Sequence, residues 1–190
     1  MEISNERRLE VLAQEAMGCQ RCELAATRSQ VVFSSGGPNS SLVVVGEAPG
    51  ASEDKDGVPF IGRSGQLLTR LISEEIGLDR TRYYITNVVK CRPPENRRPS
   101  AGEISACSYL LAGQLEVVDK KVVLAVGEVA ARSLTGLKSS VGSMRGQIHT
   151  VDEAKIVVTY HPAYALRGGS RVTEAMRSDL MIVGGLLDGK

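Results

Sequence analysis

Tryptophan is absent from this chain of 190 residues, phenylalanine and histidine occur twice each, and aromatic side chains make up only 4% of it. That poverty argues against a single-strand nucleic-acid platform, which stacks base after base on aromatic rings. Charge of one sign is also missing, since 23 basic and 22 acidic residues leave a net +1. No global field draws the chain to a polyanion, so any nucleic-acid contact must come from a local patch. No run approaches the ~20 apolar residues of a membrane helix. The polar opening Met1-Glu2-Ile3-Ser4-Asn5-Glu6-Arg7-Arg8 lacks the apolar segment of a secretory signal. A soluble cytoplasmic protein with no membrane partner is expected. Internal repeats and low-complexity tracts are lacking too. What remains is ordinary globular composition, 42% apolar and 24% charged. The length suits one domain, residues 1–190, and buries roughly two-thirds of the unfolded surface without disulfides.

Short continuous apolar runs punctuate the chain. Residues 42–45, 83–89, 122–126 and 156–160 read as strands buried on both faces. Between them lie helical patterns. Leu9, Leu12, Ala13 and Ala16 share one stripe of a helix over 5–17 that Ser4 can cap, and Leu67, Leu68, Leu71, Ile72 and Ile76 mark a helix over 64–76. Ser100-x-x-Glu103 is a capping box opening a helix that ends near 117. A short helix is expected over 128–134 and a last one over 172–187. Strands alternating with helices predict a three-layer α/β/α sandwich around a four-stranded, mostly parallel sheet. Function in such folds gathers at the carboxyl ends of strands, where three unusual segments fall: residues 46–50, 87–91 and 161–167.

Four cysteines stand near predicted element ends: Cys19 and Cys22 as a C-x2-C pair, Cys91 after the second strand, and Cys107 in the capped helix. Four thiolates suit a zinc ion or an iron–sulfur cluster. Structural zinc usually takes two close pairs, and the distance between Cys91 and Cys107 tilts the reading to a cluster. Four separate buried cysteines is the plainer alternative. Gly46-Glu47-Ala48-Pro49-Gly50 follows a buried strand, and its glycines admit a ligand close to the backbone. It is no dinucleotide fingerprint, and a simple strand-to-helix turn competes with a ligand site. Asn87 ends an apolar strand, where an amide must find partners or serve as a turn cap. His161 ends another strand. His149, in a polar stretch with no partner in view, reads as a surface residue. Lys90, Arg92, Arg97 and Arg98 crowd around Cys91, while Arg167 and Arg171 flank Gly168-Gly169-Ser170. Solvated loops are the bland reading of these cations, and phosphate contacts the sharper one.

Longer motifs bring these points together. Gly46-Glu47-Ala48-Pro49-Gly50 is followed by Gly57-Val58-Pro59-Phe60-Ile61-Gly62-Arg63. Then come Tyr84-Ile85-Thr86-Asn87-Val88-Val89-Lys90-Cys91-Arg92-Pro93-Pro94 and His161-Pro162-Ala163-Tyr164-Ala165-Leu166-Arg167. In this order they resemble the family 4 uracil-DNA glycosylases, the iron–sulfur type found in many bacteria and archaea. The resemblance runs from about residue 15 to the last helix. It implies a hydrolase that flips uracil out of single- or double-stranded DNA and cuts its N-glycosidic bond. It also implies a [4Fe–4S] cluster on Cys19, Cys22, Cys91 and Cys107 that ties the N-terminal segment to the 91–107 region.

The same resemblance assigns roles. Phe60 stacks on the extruded base, Asn87 reads its Watson–Crick edge, and His161 stabilises the leaving uracil anion. Gly46, Ala48 and Gly50 hold the base and approach the sugar. Leu166 wedges into the vacated stack and Arg167 holds a phosphate. Family 1 enzymes carry Asp where Ala48 stands, so Glu47 is left as the carboxylate that positions water or stabilises the sugar cation. Glu53 is expected to shape the pocket against the thymine methyl. The family usually shows Pro soon after the Arg of the last motif, where this chain has Gly168-Gly169. A related branch traps DNA through a His in a basic insertion between the last two cysteines. Residues 94–99 contain no His, which points to a turnover enzyme. A monomer is expected. Two competing readings are an iron–sulfur DNA-binding protein without turnover and a zinc-stabilised domain that binds a nucleotide.

Overall fold

The computed structural model describes residues 3–189. Its centre is a five-stranded sheet in the order β2-β1-β3-β5-β4. The strands are β1 (Leu42–Gly46), β2 (Tyr84–Asn87), β3 (Val122–Val126), β4 (Ile148–Val151) and β5 (Ala154–Thr159). The first four neighbours in that order are parallel, and β4 joins β5 antiparallel at the edge. The four expected strands are thus present, and β4 is an addition. Its alternating, partly exposed residues give no continuous apolar run. The turn that leads from it into β5 uses Asp152 and Glu153 at φ of 44° and 68° rather than a glycine.

The parallel strands are apolar throughout because both faces are covered. In β1, Val43 and Val45 face one apolar cluster while Leu42 and Val44 face the other. The first cluster is completed by α1 (Asn5–Met17), α2 (Leu24–Thr27), α5 (Ala101–Val117), α6 (Glu128–Thr135) and α7 (Val141–Met144). The second is completed by α4 (Arg63–Ile76), α8 (Pro162–Gly168) and α9 (Ser170–Asp188). A short α3 (Ala51–Asp56) follows β1. The expected caps form: Ser4 Oγ accepts from Arg7 N (3.3 Å), and Ser100 and Glu103 exchange bonds of 3.2 and 2.7 Å. This architecture brings the carboxyl ends of β1, β2, β3 and β5 to one rim, with Gly46 in register with Asn87 and Val126 with Thr159.

Candidate active site and cysteine centre

The rim opens into a cleft of about 550 Å³. Glu47, Ala48 and Gly50 line it from the loop after β1, Glu53 from α3, and Phe60 from the loop before α4. Asn87, His161 and Arg167 complete the wall from the ends of β2, β5 and α8. Eight of the residues singled out from the sequence therefore meet in one place. Gly46 lies just beneath. A Cβ there would strike the Phe60 ring and fall 2.5 Å from Asn87 Oδ1, so only glycine lets the ring and the amide close over the strand end. The loops beyond β1 and β2 are laced together by Val88 N to Gly46 O (2.8 Å) and Val89 N to Glu47 O (3.1 Å).

Phe60 is buried with its backbone at φ 58°, a left-handed conformation that costs energy for a bulky residue. Gly65 makes this possible, because a Cβ at that position would collide with the Phe60 carbonyl. Glu53 is also buried and gives both carboxylate oxygens to backbone: Oε2 accepts from Gly50 N (3.1 Å) and Oε1 from Gly62 N (2.7 Å). It thereby pins the loop after β1 to the start of α4. Asn87 is 2% exposed, and its Oδ1 is buried with no hydrogen-bond partner. A buried amide oxygen left open is rare and costly unless a ligand uses it.

His161 caps α8, with Nδ1 accepting from Ala163 N at 3.2 Å and Pro162 at the first helical position. Burial, and then the charge of Arg167, push its pKa down to about 4. The ring is neutral at pH 7. Since Nδ1 is an acceptor, the ring proton sits on Nε2 and makes it a donor. Burial, with Glu128 adding, raises the pKa of Glu47 against the opposing charge of Arg98.

The cations expected around Cys91 are mostly spent inside the protein. Lys90 is buried, and Arg97 forms a two-pronged ion pair with Glu103 at 2.9 and 2.6 Å. That pair holds the Glu103 pKa down to about 2. Arg98 pairs with Glu128 at 3.5 Å, and Arg92 donates to Asn96 Oδ1 at 2.8 Å. Arg97 and Arg98 thus have acidic partners within the protein, while Arg92 bonds a neutral amide. Arg167 is exposed on α8 beside Leu166, itself 48% exposed. Leu166 does not line the cleft; it stands on the surface next to it. His149 is not a free surface residue either, because its Nε2 lies 2.7 Å from Met144 O.

Sequence reasoning passed over several residues. Ser64, Asn96 and Tyr164 line the cleft, and Tyr164 packs against Tyr160 with ring centres 5.3 Å apart. Gly127, at φ 88°, lets the His161 ring lie against the end of β3, since a Cβ there would sit 3.1 Å from His161 Cβ. A glycine directly after the third apolar run was the available signal.

A second hollow shares no lining residue with the cleft. Cys19, Cys22, Cys91 and Cys107 line it together with the apolar Ala16, Ala25, Ala106 and Leu110. Arg28 Nη1 donates to Cys91 Sγ at 3.4 Å. Among the described residues no three His, Cys, Asp or Glu side chains close on one point as the ligands of a single metal ion do. The four thiols surround a space instead. Burial raises the pKa values of Cys91 and Cys107, a penalty that iron coordination removes by deprotonating thiols outright.

Comparison with known proteins agrees with this layout. The family model described as "Uracil DNA glycosylase superfamily" matches residues 33–182, which include all five strands of the sheet. The Type-4 uracil-DNA glycosylase of Sulfurisphaera tokodaii is 41% identical over 166 residues, 83% of this chain and 76% of that protein. That of Thermotoga maritima is 40% identical over 169 residues, 88% of each chain. The Archaeoglobus fulgidus protein of the same name is 36% identical over 190 residues, 96% of this chain and 94% of its own. The chain belongs to the type-4 uracil-DNA glycosylases of this superfamily. No helix among the described residues is long and apolar enough to cross a membrane.

Proposed function

We propose that this chain is a DNA repair glycosylase, a single domain acting as a cytoplasmic monomer, that extrudes uracil and hydrolyses its N-glycosidic bond to leave an abasic site. The unpartnered Asn87 Oδ1, fixed beside the Phe60 ring in the cleft, is the observation that most favours this reading. Flipping the base costs roughly a few kcal/mol, which stacking on Phe60 and bonding to Asn87 offset. Uracil N3–H donates to Asn87 Oδ1, and the Asn87 amide NH2 donates to O4. Cytosine presents the opposite pattern and leaves polar groups unpaired, a strong basis for discrimination.

As the C1′–N1 bond breaks, its electron pair leaves with uracil and the sugar becomes an oxocarbenium-like cation. The neutral His161 donates from Nε2 to uracil O2, where negative charge develops. Glu47, whose raised pKa suits it to share a proton, holds water against C1′ and stabilises the cation. The water oxygen bonds to C1′ and its proton is passed on to the departing base. Ala48 and Gly50 leave room for the sugar and base, and Glu53 keeps Gly50 in place. Leu166 fills the vacated stack and Arg167 takes a phosphate.

Four cysteine thiols lining one hollow are the donor set that a [4Fe–4S] cluster takes. When bound, the cluster supplies iron–thiolate bonds that tie Cys19 and Cys22 to Cys91 and Cys107; we assign it a structural role. The test of the function is incubation of anaerobically purified protein with an oligonucleotide holding one uracil, followed by alkali. Strand cleavage at that position is expected, with iron and sulfide in near-equal amounts in the protein. Binding without alkali-labile sites refutes turnover, and one zinc per chain without iron after reconstitution refutes the cluster.

A further inference from the structure

The least expected side chain near the cleft is not in it. Lys90 is only 1% exposed. Burying an ammonium costs far more than burying a methionine of similar volume. The groups beside it are the thiols of Cys107 and Cys91, with no carboxylate in an ion pair with it among the described residues. Its hydrogen bonds go elsewhere, to the last two residues of β2: Nζ donates to Asn87 O at 2.5 Å and to Thr86 Oγ1 at 2.8 Å. The chain has left the strand, turned back, and placed a cation under its own end.

The partners of that cation are themselves fixed. Thr86 Oγ1 donates to Phe33 O (2.7 Å). Gln114 Nε2 donates to the same carbonyl (3.1 Å) and to Tyr84 Oη (2.9 Å). Gln114 lies on α5 two turns beyond Cys107. A buried polar network therefore runs from α5 through Thr86 and Lys90 to the Asn87 carbonyl. Above that carbonyl, Asn87 Oδ1 has no protein partner. A short amide has two torsions, so the backbone beneath it sets its aim. A binding group placed 1 Å off loses its function.

We propose that Lys90 is a positioning residue for base recognition: it clamps the Asn87 carbonyl from below so that the Asn87 amide meets the extruded base at one angle. This rests on Asn87 reading uracil, and it makes recognition depend on a residue that the DNA never touches. A lysine kept for packing or for cluster assembly alone needs no bond to Asn87.

A double-mutant cycle separates these roles. Single-turnover excision is measured for the parent, Lys90→Met, Asn87→Ala and the double variant, with Lys90→Met/His161→Ala as reference. Lys90→Met slows excision about 10–100-fold, and the double variant is within about twofold of Asn87→Ala alone, because the clamp has nothing left to aim. With His161→Ala the losses multiply. Binding supplies a second readout. On duplexes carrying an uncleavable 2′-fluoro uridine or cytidine, Lys90→Met lowers the uracil preference while affinity for the cytidine duplex holds. Where Lys90→Met loses iron or fold, Thr86→Val leaves the ammonium beside the cysteines and is put through the same cycle. Losses that multiply in the Asn87→Ala background, or an unchanged uracil preference, overturn the inference. Parent-like excision by Asn87→Ala refutes the reading of Asn87 itself, and the clamp with it.

Discussion

Replacing His161 by alanine removes the neutral imidazole donor from the cleft. Its Nδ1 is committed to Ala163 N at 3.2 Å, so the lost group is the Nε2 proton, the donor proposed for uracil O2. Burial and Arg167 hold its pKa at about 4, below the ordinary 6.5. Nothing is therefore gained or lost by protonation near neutrality. Deleting one donor directed at developing negative charge costs roughly 10²–10³-fold in rate. DNA affinity changes far less, since the bond strengthens only as charge builds.

The pH profile sharpens this prediction. A group whose folded pKa is depressed to about 4 stays neutral through pH 5–8, so His161 sets no break near 6.5. Glu47 is displaced the other way. As pH falls through its raised pKa it gains a proton, the carboxylate facing the sugar cation is lost, and excision declines. The acid limb of the profile should thus survive in His161→Ala at a lower plateau and vanish in Glu47→Gln. Single-turnover rates from pH 4.5 to 8 on a uracil oligonucleotide read both. An unchanged plateau in His161→Ala removes the residue from the chemistry. A break near 6.5 that disappears with His161 shows that the working form is the imidazolium, contrary to this account.

Three further outcomes are expected. Asn87→Asp sets a carboxylate oxygen against uracil O4 and should cost at least ~1–3 kcal/mol, or about 10–100-fold in rate; the uracil-over-cytosine ratio falls with it, and parent-like excision would return Asn87 to a strand-end cap. Gly46→Ala drives a methyl into the Phe60 ring and to 2.5 Å from Asn87 Oδ1, so thermal unfolding should show a loss of ~1–3 kcal/mol, as overpacked cores do, with slowed excision. Arg167→Ala should weaken DNA binding and flatten its salt dependence by about one phosphate; an identical slope in a salt titration places Arg167 outside the interface.

How much of this could be read from the chain alone differs by feature. Strands β1, β2, β3 and β5 were legible because burial on both faces makes them uninterrupted apolar runs, and α1, α4, α5 and α9 because their stripes repeat with caps at Ser4 and Ser100. The edge strand β4 was not, since half of it faces water and its hairpin turn uses Asp152 and Glu153. Helix α8 hid because histidine is an unusual cap, although Pro162 marked its first turn. Within the site, polar residues at strand ends gave away Asn87 and His161. Gly127 serves by what it leaves vacant: its place after the third apolar run is visible in sequence, but its purpose is not until the His161 ring is placed against it. The basic run around Cys91 left two readings open for a related reason. Charge is visible in sequence, whereas the acidic partners of Arg97 and Arg98, Glu103 and Glu128, reach them only through the fold. Convergence of the four cysteines was suggested by their positions near element ends, and the fold places them around one hollow.

The geometry of recognition can be seen outright in a crystal structure of His161→Ala, slowed in excision, bound to a duplex that carries one uracil. The account predicts the uracil outside the helix, its face on the Phe60 ring and its N3–H within hydrogen-bond distance of Asn87 Oδ1, with Leu166 in the emptied stack. A uracil still paired in the duplex, or an extruded base whose Watson–Crick edge faces away from Asn87, would contradict it.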